Sequence, residues 1–170
     1  HQYDGTRWNI WSNRYVAGTG WGTAELIETE NGSAEYPQVA VDSAGNAVAV
    51  WRQHDGSWDS IWSNRYVAGT GWGTAELIEE NVGTADYPQV AVDSAGNAVA
   101  VWSQIFGTYR SIWSNRYVAG SGWGMAELIE ENVGTAEYPQ VAVDSAGNAV
   151  AVWYQSNGWL WNIWSSHYVE

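Results

Sequence analysis

The 170-residue chain has no cysteine and no lysine, one methionine, one phenylalanine and three prolines. Without cysteine, neither a disulfide nor a thiolate–metal centre can form. Six bases, all arginine, face 19 acids, for a net charge of −13. That excess works against a phosphate backbone or an anionic membrane surface, which both call for clustered positive charge. No nucleic-acid partner is expected. No apolar run approaches the roughly 20 residues that span a bilayer, so membrane insertion is not expected either. His1-Gln2-Tyr3-Asp4 shows neither the basic start nor the apolar core of a secretion signal, and a trimmed chain would read the same.

What the chain does have is 14 tryptophans, 10 tyrosines and 19 glycines. Tryptophan takes the place that leucine and phenylalanine usually hold. Each indole buries a large area and brings one N–H that needs an acceptor.

The tryptophans are periodic. Trp11, Trp62, Trp113 and Trp164 are 51 residues apart, as are Trp51, Trp102 and Trp153, and Trp21, Trp72 and Trp123. Segments 37–87 and 88–138 differ at nine of 51 positions. The chain holds three repeats and a 17-residue surplus. Duplication or design accounts equally for copies this alike.

One repeat reads as four strands. Strand A is Pro37–Asp42, and Ser43-Ala44-Gly45-Asn46 is a turn with residues suited to positive φ. Strand B is 47–51, strand C is 60–67, and strand D is 72–79 after the turn 68–71. A and B are apolar on both faces, as a strand covered on two sides must be. D carries Glu76 and Glu79, with Glu80 next, and Glu127, Glu130 and Glu131 recur one repeat on. These acids read as a solvated outer edge that discourages edge-to-edge pairing. An apolar-to-charged gradient repeated every 51 residues predicts an all-β fold, a β-propeller of four-stranded blades. The boundaries are a partial blade at 1–36 (strands C and D), blades at 37–87 and 88–138, and a partial blade at 139–170 (strands A, B and C).

The segment Pro37-Gln38-Val39-Ala40-Val41-Asp42-Ser43-Ala44-Gly45-Asn46 resembles the inner hairpin of many bacterial propeller repeats. Ile61-Trp62-Ser63-Asn64-Arg65-Tyr66, followed by Gly69-Thr70-Gly71-Trp72, is similar to the outer hairpin of sialidase-like and fungal-fucolectin-like propellers. The resemblance implies architecture. Fucolectins hold their sugar with an arginine before the variable loop and a glutamate after it; segments 47–51 and 61–63 have neither, so fucose specificity is not implied.

Three blades make too small a ring, since propellers have four to eight. A lone C–D hairpin at one end and an A–B–C set at the other suggest that copies complete one another. The expected partner is therefore self: a homo-oligomer, first of all a dimer with six blades. A nine-bladed trimer or a longer array remains open.

Six of the nine differences fall in the B–C loop, and all B–C loops leave a propeller on one face. The variable aromatics there are Trp8, Trp58, Tyr109, Trp159 and Trp161. Strand C adds Arg14, Asn64, Arg65, Asn115 and Arg116. Indole faces stack on sugar C–H surfaces, while arginine and asparagine hydrogen-bond hydroxyls. These ten residues are the candidate ligand-binding set, placed between blades or on the loop face, with glycans as the expected ligand. An extracellular or cell-surface setting suits such a lectin-like module.

Catalysis is not expected. A hydrolase needs one unique constellation, whereas near-identical copies spread their carboxylates evenly. A sialidase-like pocket needs clustered arginines, and Arg14, Arg65 and Arg116 occur once per blade. His1, His54 and His167 share no ligand spacing, and Asp42, Asp93 and Asp144 give one acid per turn, which suits turn capping. No metal and no cofactor is expected. The alternative to glycan recognition is a protein-binding or purely structural propeller scaffold, natural or designed.

Overall fold

The computed structural model describes residues 1–29, 31–79, 83–130 and 132–169. Every regular element in them is a β-strand. No helix among them is long and apolar enough to cross a membrane. The N-terminal region contains β1 (Gln2–Tyr3), β2 (Trp8–Asn9), β3 (Trp11–Ser12), β4 (Tyr15–Val16), β5 (Gly20–Trp21) and β6 (Glu25–Leu26). They pair as β1–β2, β3–β6 and β4–β5. The first full blade is β7 (Ala34–Val41), β8 (Ala47–His54), β9 (Asp59–Val67), β10 (Gly71–Trp72) and β11 (Glu76–Leu77). The second is β12 (Ala85–Val92), β13 (Ala98–Phe106), β14 (Tyr109–Val118), β15 (Gly122–Trp123) and β16 (Glu127–Leu128). The last sheet is β17 (Ala136–Val143), β18 (Ala149–Ser156) and β19 (Trp161–Tyr168). Each is an antiparallel meander, and β7, β12 and β17 pack side by side as the innermost strands.

The alternating Ala and Val of strand B explain how blades stack. Val48 and Val50 of β8, with Ile61 and Ile78, meet Ala98, Ala100 and Trp102 of the next blade in one buried cluster. Ile10 and Ile27 meet Ala49 and Trp51 in the same way. Bulky aliphatics point forward, and small alanines on the facing strand make room for them. Trp51 and Trp102 are fully buried at the centre of these contacts.

Three details depart from the sequence expectation. Strand A begins at Ala34, before the proline, and carries a bulge there: the register slips between Glu35 and Gln38. Strand D is two short pieces rather than one run from Trp72 to Glu79. β10 pairs with Tyr66–Val67 and β11 with Trp62–Ser63. Between them the Asn64 side chain donates to the Gly73 carbonyl at 3.1 Å, so a side chain stands in for the ladder. Nor is the outer edge wholly solvated. Glu76 and Glu127 are exposed, but Glu79 and Glu130 are buried, and so is Glu28. Glu80 and Glu131, expected on that edge, lie outside the described residues.

Candidate functional site

The buried glutamates belong to a chain of hydrogen bonds that repeats at each blade junction. Trp51 Nε1 donates to Gln53 Oε1 at 2.8 Å, and Gln53 Nε2 donates to Glu28 Oε2 of the preceding blade at 3.2 Å. Trp102, Gln104 and Glu79 repeat it at 2.9 and 2.8 Å, and Trp153, Gln155 and Glu130 at 3.0 and 2.6 Å. The indole N–H cannot stay unbonded in the core, and glutamine relays it to a carboxylate. Burial pushes the Glu130 carboxyl above its usual range, against hydrogen bonds from Ser111 and Gln155 that pull it down.

Five of the ten sequence candidates sit in these junctions. Asn64 Nδ2 donates to the Ile27 carbonyl at 2.8 Å, and Asn115 Nδ2 to the Ile78 carbonyl at 2.8 Å; both asparagines are buried. Arg14 donates to the Tyr66 hydroxyl at 3.1 Å and Arg116 to the Tyr168 hydroxyl at 3.3 Å. Arg65 lies 5.3 Å from the Tyr117 ring centre. The amides of Asn64 and Asn115 and the guanidinium groups of Arg14 and Arg116 clasp one blade to the next, while Arg65 meets the Tyr117 ring with its buried Nε left without a hydrogen-bond partner. The turn aspartates cap their turns: Asp42 Oδ1 accepts from Ala44 N and Asn46 N at 2.9 Å.

The other five candidates stand on the upper face, where strands B and C join. Asp55 Oδ1 accepts from Ser57 N and Trp58 N, both at 2.8 Å, folding the tip and setting Trp58 outward. Gly56 supplies the positive φ of 102° this requires. Asn157 Oδ1 does the same for Trp159 N and Leu160 N at 3.0 Å. Trp159 is 91% exposed, while Trp58, Tyr109, Trp161 and Trp8 are exposed in part. The His1 and Tyr3 rings flank Trp8 at 4.7 and 5.2 Å. The loop-tip residue Phe106 carries a side chain outside the described set.

Strand A starts at this same end, because Glu35 pairs with Arg52 close to the tip. Its bulge puts Tyr36, Tyr87 and Tyr138 at φ of 52–54°, the left-handed region that non-glycine residues rarely occupy. Three tyrosine rings are thereby brought into contact in series, their planes tilted by 56° and 41°. The Tyr36 and Tyr87 rings lie 6.1 Å apart and Tyr87 and Tyr138 4.4 Å apart. A hydrogen bond with Tyr138, with burial and nearby carboxylates, pushes the Tyr87 phenol up to about 12. Arg52 lies 4.8 Å from the Tyr36 ring centre and pairs with Glu35, with Asp86 at 3.4 Å and with Asp59 at 3.6 Å. Arg110 pairs with Glu137 at 3.7 Å. This tyrosine–carboxylate centre was missed in the sequence reading, although the Tyr-Pro pair in each repeat, always preceded by an acid, is a visible signal for it.

Between the second and third blades the upper face holds a cleft of about 270 Å³. Tyr109 and Trp161 flank it, with Glu137, Asn157 and Thr135 between them. It therefore joins two aromatic faces to a carboxylate, an amide and a hydroxyl.

No protein-family model and no curated protein matches the chain. Solved structures do. The chain is similar to a protein of unknown function from Dyadobacter fermentans, at 14% identity and TM-score 0.61, over 88% of this chain and 42% of that one. It is similar to an endo-arabinase from Bacteroides thetaiotaomicron, at 15% identity and TM-score 0.57, over 100% and 74%. It is also similar to an intramolecular trans-sialidase from Ruminococcus gnavus, at 14% identity and TM-score 0.51, over 89% and 36%. The chain thus spans less than half the length of two of these. At such identities the likeness is one of fold, and the fold is the β-propeller.

Proposed function

We propose that the upper face recognises glycans without catalysis, and that the cleft between Tyr109 and Trp161 is its main seat. The observation that carries this reading is the composition of that cleft. Two aromatic residues offer stacking surfaces, and the Asn157 amide N–H groups, with the Glu137 carboxylate beside Arg110, offer hydrogen bonds to hydroxyls. A volume of about 270 Å³ suits one sugar ring. The carboxylates of the face favour neutral sugars over acidic ones, because hydroxyls donate to a carboxylate and a second carboxylate is repelled. Arg52 holds Glu35 and Asp86, and Arg110 holds Glu137. Such pairing speaks against a hydrolase, whose acid and partner carboxylate must face the scissile bond.

A titration of tryptophan fluorescence with neutral monosaccharides and oligosaccharides tests the reading. A saturable change is expected, with binding weakened at least roughly 30-fold by Tyr109→Ala, as for an aromatic hot spot. Trp58→Ala, at another blade, should leave that site intact. No response across a broad neutral panel would sink the proposal. One observation favours a protein ligand instead: Trp159 and Leu160 project together from their tip, 91% and 66% exposed. Binding lost with Trp159→Ala but kept with Tyr109→Ala would support it.

A further inference from the structure

We infer that the chain closes its ring with a second copy of itself, the N-terminal strands β2–β6 of one molecule replacing β19 on β18 of the other. The finished junctions inside the chain are the template. Where the first full blade meets the second, Trp113 and Trp123 join the buried cluster with Val48 and Val50. Where the second meets the third, the cluster contains no third-strand or outer-strand tryptophan. Trp164 of β19 remains 42% exposed there, and a cleft of about 310 Å³ lies open, lined in part by Val99, Val101, Ser114 and Leu128.

The missing piece is present at the other end of the chain. Trp21 is 70% exposed, while Trp72, its repeat equivalent, is half-buried and donates Nε1 to Ser12 Oγ of the preceding blade at 2.7 Å. The equivalent of Ser12 at the open junction is Ser114, which lines the empty cleft. Trp21 of a second copy has a seat there, as Trp123 has against the cluster of Val48 and Val50. The reciprocal surface matches. A cavity of about 560 Å³ lies behind the N-terminal strands, bounded in part by Ile10, Ile27, Val39 and Ala49. Val150 and Val152 of β18 are 41% and 37% exposed, against 2% and 0% for Val48 and Val50. Those valines fill the equivalent space at the finished junctions. A twofold pairing closes both gaps at once and gives six blades, within the usual range.

Side-chain chemistry decides which copy of the third strand stays. Asn64 uses two amide hydrogens, one for Ile27 O and one for Gly73 O. The N-terminal copy keeps Asn13 and Arg14 at these places, whereas β19 has Ser166 and His167. A serine hydroxyl has one donor and cannot make both bonds. β19 is therefore the strand that leaves, β1 yields its place on β2 to the end of β18, and Trp8 of the second copy, the repeat equivalent of Trp161, takes that residue's place beside Tyr109.

The chain has no cysteine, so an introduced pair reports the closure. By the register of Val50 with Ser63, Ser12 of one copy would face Val152 of the other. Facing strand residues fall within the roughly 4.4–6.8 Å Cα range of a disulfide. The Ser12→Cys/Val152→Cys variant should give a covalent dimer on oxidation. The unaltered chain should sediment at twice its 18.7 kDa mass. Trp21→Ala should weaken association at least roughly 30-fold, and Trp159→Ala should not change it. Three outcomes would each overturn the proposal. One is a monomer at every concentration. Another is a dimer whose double variant never cross-links. The third is a dimer in which Val152→Cys bonds instead to Ser165→Cys, its present neighbour on β19.

Discussion

The blade junctions and the hairpin tips are built from the same repeat, yet they differ in opposite ways. Each junction carries the same tryptophan, glutamine and glutamate in the same hydrogen-bonded order. Across the tips, Trp58 and Tyr109 share one repeat position that Leu160 holds in the third copy, Trp159 precedes it, and the neighbouring residues change from loop to loop. At a junction the indole, amide and carboxylate of this chain satisfy one another away from water, so changing one member strands the others. At a tip, water satisfies what the loop does not, and a new side chain costs little.

The sharpest test of this contrast is to remove an indole from each region. Trp102→Ala should cost about 3–5 kcal/mol, since it empties a fully buried site. Trp159→Ala should fall within about 0.5 kcal/mol of the unaltered chain, as an exposed substitution does. Equal midpoints for the two variants in urea unfolding would break the comparison. Next in size is Gln104→Leu, which removes the acceptor of Trp102 Nε1 and a donor to Glu79 inside the core. A loss of about 2–3 kcal/mol is expected in the same assay. Asp93→Ala should cost about 1 kcal/mol, because Asp93 Oδ1 holds Ala95 N and Asn97 N in the turn at 2.8 and 2.9 Å.

The smallest effect is a difference in pH slope. Burial raises the Glu130 carboxyl, so its contribution is present below the ordinary glutamate range and is lost as pH rises through its folded value. Asp42 and Asp144 act the other way. Their carboxyls are lowered, Asp42 by bonds from Asn46 and Ala44 that outweigh burial and Asp144 mainly by its bond from Asn148. Their contribution is present above the ordinary aspartate range and is lost as pH falls through the folded values. Glu130→Gln should therefore gain on the unaltered chain between mild acid and neutrality. Chemical denaturation at the two pH values reads the gain, and parallel slopes would contradict it.

Much of the frame was legible because hydrophobic alternation and turn residues act locally. The Ala–Val alternation of β8 and the Asp-Ser-Ala-Gly-Asn turn predict the inner hairpin with no knowledge of neighbours. The broken outer strand was not legible, since the break depends on Asn64 reaching Gly73 across the hairpin. The same holds for Glu79, which looks like a surface acid in sequence and is buried only because Gln104 of the next blade meets it. Among the candidate residues, the loop-face position of the tip aromatics could be read from their variability. The strand C arginines and asparagines could not be assigned, because a clasp and a ligand contact use the same donors.

The sequence by itself determined a 51-residue β repeat, its two tight turns and the face on which the copies diverge, all of which follow from side-chain period and backbone preference within one repeat. Only the tertiary structure decided which polar residues are sealed between blades, which tyrosines meet at the start of the inner strands, and where a cleft opens. Those depend on what the adjoining blade presents across the gap, and no single repeat carries that information.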